Sequence, residues 1–162
     1  MEGVMEWVRG KGVGLVCVTG GEPLLQPGAV ELVERLVAEG FEVWVETSGA
    51  LDIAAVVGVG RLVMDVKCPS SGMSGRMRWE NLALLGPGDE LKFVLADRQD
   101  YEFARQVLET HRLHKDVQVL LSPVWGELEP RELAGWMVDD RFPGRLQLQL
   151  HKYIWGPNKR GV

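Results

Sequence analysis

The sequence predicts an α/β fold whose parallel strands curl into a partial barrel. Three observations predict it. Apolar runs alternate with helix-period segments along all 162 residues, the pattern of connected β-α units. Each strand after the first reads as one aliphatic and one polar face, which period-2 geometry permits. A Gly-Gly-Glu-Pro turn, Gly20 to Pro23, closes the first strand, at the end where parallel α/β folds place their sites.

The elements follow in order. Met5 to Arg9 reads as the end of a helix, and Gly10-Lys11-Gly12 is its stop. Val13 to Val18 is an unbroken apolar run and reads as a buried strand; further strands fall at 41–46, 61–66, 89–95, 117–121 and 145–150. Helices are expected at 27–39, 99–113 and 129–138, with a shorter one at 51–57. The aliphatic faces, among them Phe41/Val43/Val45, Leu62/Met64/Val66, Leu91/Phe93/Leu95 and Leu146/Leu148/Leu150, suit packing under the helices. The opposite faces carry Glu42/Trp44/Glu46, Val63/Asp65/Lys67, Glu90/Lys92/Val94, Gln118/Leu120/Ser122 and Gln147/Gln149/His151. Connecting helices normally cover both faces of an open parallel sheet, so polar faces of this kind point to a shared barrel interior with a ligand-binding mouth. No internal repeat or low-complexity linker divides the chain, and residues 1–162 are expected to form one domain.

Composition narrows the function. At 46% apolar and 25% charged residues the chain is globular rather than disordered. A net charge of −5 argues against a nucleic-acid partner. No apolar run reaches membrane-spanning length, and Met1-Glu2-Gly3-Val4 lacks the basic and apolar regions of a signal peptide, so cytoplasmic residence without a membrane partner is expected. The two cysteines, Cys17 and Cys68, belong to no close cluster and supply no metal site. Of the six tryptophans, Trp125, Trp136 and Trp155 read as packing anchors.

The Gly20-Gly21-Glu22 turn carries the chemistry. Adjacent glycines admit φ > 0 and let a ligand approach bare backbone. The Glu22 carboxylate would repel a phosphate, but it suits an ammonium, to which it offers a charge-assisted hydrogen bond. The alternative is a plain turn, with Glu22 favouring the positive end of the next helix and Pro23 fixing φ.

Five segments in order resemble 7-carboxy-7-deazaguanine synthases of the radical S-adenosylmethionine superfamily. They are Val18 to Leu25, Glu46-Thr47-Ser48-Gly49, Asp65 to Ser70, Asp89 to Val94, and Leu148 to Val162 with its His151-Lys152-Tyr153-Ile154-Trp155-Gly156-Pro157 run. The resemblance implies a shortened (β/α)6 radical-SAM barrel, and an enzyme that converts 6-carboxy-5,6,7,8-tetrahydropterin to 7-carboxy-7-deazaguanine with loss of ammonia, on the route to queuosine. It implies S-adenosylmethionine, a [4Fe–4S] cluster that cleaves it reductively, and Mg²⁺, cofactors that carry the hard chemistry while the protein binds and orients. A homodimer and an electron donor such as flavodoxin or ferredoxin are implied as partners.

By the same resemblance Gly20, Gly21 and Glu22 hold the methionine amino group, Glu46 and Ser48 line its ribose or methionine side, and Lys67, Cys68 and Pro69 lie beside it. Thr19, Lys92, Gln149 and His151 would contact the pterin, Lys92 and His151 through its carboxylate. Rival readings stay open: Lys92 neutralising Glu90 or Glu46 inside the barrel, His151 as a surface or capping residue, Cys68 as a small inert filler.

The family's Cys-x3-Cys-x2-Cys loop and the Mg²⁺-binding Thr after it do not occur here, so the barrel is expected to lack its first strand and cluster loop and to expose an edge there. On this reading no catalytic or metal-binding residue is assigned, and the chain alone is expected to be inactive. Met1 is then read as an internal methionine of a longer protein. The alternatives are a non-catalytic ligand-binding or assembly module, and an activase-type radical enzyme sharing the Gly-Gly-Glu loop.

Overall fold

A computed structural model describes residues 1–111, 113 and 115–159. Arg112, within the expected third helix, and Arg160-Gly161-Val162, at the end of the family-like tail, lie outside the described residues.

Six strands form one parallel sheet in sequence order: β1 (Leu15–Val18), β2 (Glu42–Thr47), β3 (Arg61–Val66), β4 (Glu90–Leu95), β5 (Gln118–Pro123) and β6 (Arg145–Leu146). The sheet is not closed, since β1 pairs only with β2 and β6 only with β5. This is the partial barrel expected. The helices are α1 (Glu2–Arg9), α2 (Ala29–Ala38), α3 (Arg98–Thr110), α4 (Pro130–Asp139) and α5 (Leu150–Trp155).

One face of the sheet makes the core. Val43, Val45, Leu62, Met64, Val66, Leu91, Phe93, Leu95 and Leu121 are buried together with Val33 and Leu36 of α2, Tyr101 and Ala104 of α3, and Leu133 of α4. Each large aliphatic or aromatic side chain buried there contributes roughly 1.5–3 kcal/mol. The alternation read from sequence therefore assigns the helix-covered face correctly in β2 through β5. Trp136 is an anchor as expected, its ring centroid 5.5 Å from that of Tyr101. Trp155, at 53% exposure, is not.

Three expectations are corrected. The apolar run before the Gly-Gly-Glu turn is no buried strand: Leu15 is 53% exposed, because β1 is an edge with one neighbour. The 51–57 helix is a series of turns, in which the Asp52 side chain accepts from Ala54 N at 2.9 Å and Val57 bridges Gly60. Asp favours such a local bond, and it competes with a helical turn. The 145–150 strand stops at Leu146 after two residues; Gln147 N still donates to Leu121 O at 2.8 Å, but the next inward position on β5 is Pro123, which has no N–H to extend the ladder. The chain turns into α5, taking His151 off the strand face and leaving Leu150 62% exposed.

Burial, aided by the nearby Asp140 carboxylate, pushes the Tyr101 phenol up to about 12, against about 10 for a free tyrosine. The folded state keeps this proton while the unfolded state releases it, so stability is full below pH of about 10 and declines as pH rises from there toward about 12. Alkaline unfolding followed by circular dichroism is expected to show that decline, and Tyr101→Phe is expected to remove it.

Candidate functional site

The site lies at the carboxyl ends of β1 to β4. Gly20 and Gly21 turn the chain off β1 with φ of 102° and 54°, and a Cβ at either position would meet nothing within 4 Å. The two glycines are thus required by backbone conformation, and they leave open space beside the main chain.

Glu22 follows, and its carboxylate is enclosed by donors. Oε1 accepts from Leu24 N at 3.2 Å and Thr47 Oγ1 at 2.9 Å. Oε2 accepts from Ser48 N at 2.7 Å, from Ser48 Oγ, and from Thr47 Oγ1 at 2.9 Å. The bond to Leu24 N caps the short 3₁₀ turn Pro23–Leu25, as the plain-turn reading anticipated. The bonds to Thr47 and Ser48 do more, since they lock the β1 loop to the end of β2. A ligand ammonium reaching this carboxylate shares Oε2 with the Ser48 hydroxyl or displaces it.

Beside Glu22 lie two cavities. The smaller, about 90 Å³, is walled by Thr19, Gly21, Glu46, Ser48, Lys67 and Lys92, with Asp65 on its floor. Thr19 Oγ1 donates to Glu46 at 3.2 Å, and Lys67 Nζ pairs with Asp65 Oδ2 at 2.6 Å. Asp65 and Lys92 are register partners across β3 and β4. Two carboxylates and two ammonium groups in one small space match a zwitterionic guest. The larger cavity, about 280 Å³, is lined by Glu22, Leu25, Ser48, Lys67, Met73 and Met77. Ser48 and Lys67 belong to both and form the wall between them.

Seven of the residues singled out from sequence thus meet: Thr19, Gly21, Glu22, Glu46, Ser48, Lys67 and Lys92. Gly20 holds the turn. Pro69 opens the 3₁₀ turn Pro69–Ser71 just beyond Lys67. Cys68 points the other way, 1% exposed within the core, and burial pushes its thiol well above the ordinary range. Gln149 lines a separate cavity of about 270 Å³ with Trp125 and Tyr153, whose rings meet edge to face at 4.5 Å. His151 is half-buried on α5 and lines neither of the two cavities beside Glu22. Of the two acidic neighbours suggested for Lys92, Glu90 pairs instead with Arg145 at 3.0 Å, while Glu46 shares the cavity wall.

Sequence reasoning passed over Thr47, which alternation assigns to the aliphatic face. It is indeed buried there, but at the strand end its hydroxyl reaches Glu22. Met73 and Met77 carried no signal at all, because they reach the cavity from a loop of short turns after β3.

No family model matches the chain. Comparison with individual proteins decides the matter. The chain is 45% identical to the 7-carboxy-7-deazaguanine synthase of Koribacter versatilis, over 92% of its own length and 72% of that protein's. It is 44% identical to that of Chlorobaculum tepidum, over 90% and 67%.

The chain belongs to the 7-carboxy-7-deazaguanine synthase family.

Two solved structures share its fold. QueE from Escherichia coli superposes with a TM-score of 0.66 at 20% identity, over 91% of this chain and 63% of that one. Streptococcus suis SuiB bound to S-adenosylmethionine gives 0.59 at 12% identity, over 98% and 44%. The chain therefore spans about 63% of the length of QueE. Against that background, three of the five family-like segments end strands β1 to β3, one runs into and along β4, and one forms the tail around α5. No helix among the described residues is long and apolar enough to cross a membrane.

Proposed function

We propose that the paired cavities hold S-adenosylmethionine and the edge of a pterin. The chain would thereby contribute binding and orientation to the conversion of 6-carboxy-5,6,7,8-tetrahydropterin to 7-carboxy-7-deazaguanine. The observation that carries the reading is the meeting of four family-like segments around one wall, Ser48 and Lys67.

S-adenosylmethionine fits what the residues offer. Its amino-acid end is a zwitterion, matched by Glu22 and Glu46 for the ammonium and by Lys67 for the carboxylate. The open backbone at Gly20 and Gly21 supplies carbonyls to the same ammonium. The apolar side of the larger cavity, Leu25, Met73 and Met77, suits the adenosine, with thioethers against a flat ring. When bound, S-adenosylmethionine supplies the radical chemistry, and these residues orient it and exclude water. Thr19 and Lys92 face the pterin in this arrangement, whereas Gln149, in the separate cavity beside Trp125, and His151 stand outside the two cavities. Asp65 Oδ1, without a hydrogen-bond partner beside the smaller cavity, is open to a ligand hydrogen bond.

The iron–sulfur cluster and Mg²⁺ do not fit the described residues. Cys17 is exposed on β1 and Cys68 is buried in the core. No three His, Cys, Asp or Glu side chains among the described residues converge as a metal site. We further propose that the protein acts as a homodimer in the cytoplasm and that a flavodoxin- or ferredoxin-like protein is its electron donor.

Calorimetric titration of the purified chain with S-adenosylhomocysteine, an unreactive analogue, tests the reading. Binding with a Kd of about 1–100 μM is expected. Absence of heat up to millimolar ligand would leave the cavities without their proposed guest.

A further inference from the structure

Asp100 lies in the first turn of α3, 0% exposed, and lines neither cavity beside Glu22. Capping explains only part of its placement. Asp97 already serves as the N-cap, accepting from Asp100 N at 2.9 Å. The Asp100 carboxylate accepts from Ala96 N at 2.9 Å, and then from a segment thirty residues away: Ser70 N at 3.1 Å and Ser70 Oγ. A buried carboxylate is tolerated only where donors surround it. Here the main-chain and side-chain donors of Ser70 are two of the three.

Ser70 belongs to the turn that follows β3. The turn's own bonds are internal: Ser71 N to Cys68 O at 3.1 Å, Ser71 Oγ to Cys68 O at 2.6 Å, and Gly72 N to Pro69 O at 2.9 Å. The buried Cys68 side chain and the Asp100 carboxylate tie it to the rest of the protein. Lys67 enters this turn, and Met73 leaves it, as walls of the ligand cavities.

We propose that Asp100 is a positioning residue for the ligand site, holding Lys67 and Met73 in place through Ser70. The inference rests on the ligand reading given above. It assigns the carboxylate a role at the site, although it touches no ligand.

The test compares Asp100→Asn with Asp89→Asn in the full chain. Asp89 is a matched control: buried at 7% exposure, it accepts from Leu62 N and Gly86 N, both at 2.9 Å, beside the start of β4 and away from the site. Backbone hydrogen exchange of residues 70–72 and S-adenosylhomocysteine affinity are measured together with thermal unfolding. In D100N, exchange of these amides is expected to rise about tenfold and affinity to fall about tenfold, the scale of a lost bond to a charged acceptor. D89N is expected to lower thermal stability while leaving both unchanged. Ser70→Ala, which keeps the carboxylate and removes one donor, is expected to act in the same direction. In the double variant the two effects should not add.

Exchange of 70–72 within twofold of the parent in D100N would overturn the proposal, as would an equal loss of affinity in D89N. Failure of the parent protein to bind S-adenosylhomocysteine would overturn the ligand reading instead. The exchange measurement would still decide whether Asp100 holds the turn.

Discussion

Replacing Glu22 by Gln is expected to weaken S-adenosylhomocysteine binding about a hundredfold and to destabilise the chain by about 2 kcal/mol. The carboxylate receives Leu24 N, Thr47 Oγ1, Ser48 N and Ser48 Oγ, so both oxygens act only as acceptors. A glutamine of the same size keeps one acceptor oxygen and turns an NH₂ toward either Leu24 N or Ser48 N, donor against donor. Leaving such a half-buried group unsatisfied costs about 1–3 kcal/mol. The affinity loss is larger, because the same change removes the negative charge offered to the ligand ammonium and frees Ser48 from the wall between the cavities. Titration calorimetry and thermal unfolding on one preparation separate the two effects. A variant that is less stable but binds as the parent would reduce Glu22 to a turn cap.

Gly49→Ala carries the second large expected effect, a loss of about 2–3 kcal/mol and of the order of 5–10 °C in Tm. Gly49 has φ of 70°, and a Cβ there would lie 2.9 Å from Met64 Sδ and 2.9 Å from Met77 Cε. The peptide cannot rotate away to relieve the strain. Its N–H donates to Thr47 Oγ1 at 3.2 Å, and its carbonyl accepts from Arg78 N at 3.0 Å and Asn81 Nδ2 at 3.1 Å. Flexible methionines absorb part of the crowding, but Met77 moves at the expense of the larger cavity it lines. Ligand affinity is expected to fall along with stability. Gly86→Ala is the control, since a Cβ at Gly86 meets nothing within 4 Å and its φ is not positive. Equal Tm values for the two variants would show that Gly49 is not under the constraint described.

Much of this was legible in the chain because hydrophobic periodicity is a local property. Val43/Val45, Leu62/Met64/Val66 and Leu91/Phe93/Leu95 alternate strictly, and those are the residues under the helices. The Gly-Gly-Glu turn was legible for a similar reason: positive φ at two successive positions has few solutions besides glycine. The failures share the opposite cause. Leu146-Gln147-Leu148-Gln149-Leu150 alternates as well as any strand, but a strand needs a partner, and β5 ends in a proline on the side facing it. The 51–57 segment has apolar residues enough for a helix, yet Asp52 closes a local turn, and Asn81, from another part of the chain, binds the carbonyls of Gly49 and Leu51.

The sequence by itself determined the parallel α/β class, the helix-covered face of β2 to β5, the turn at Gly20 to Glu22, and the family to which the segments belong, since each depends on residue type at fixed short spacing. Only the tertiary structure decided that Glu22 is held by Thr47 and Ser48, that Lys67 stands between two cavities, and that Asp100 grips Ser70. Those contacts join segments some 25 to 30 residues apart, and no local pattern encodes which donor a buried carboxylate will find when the strands align.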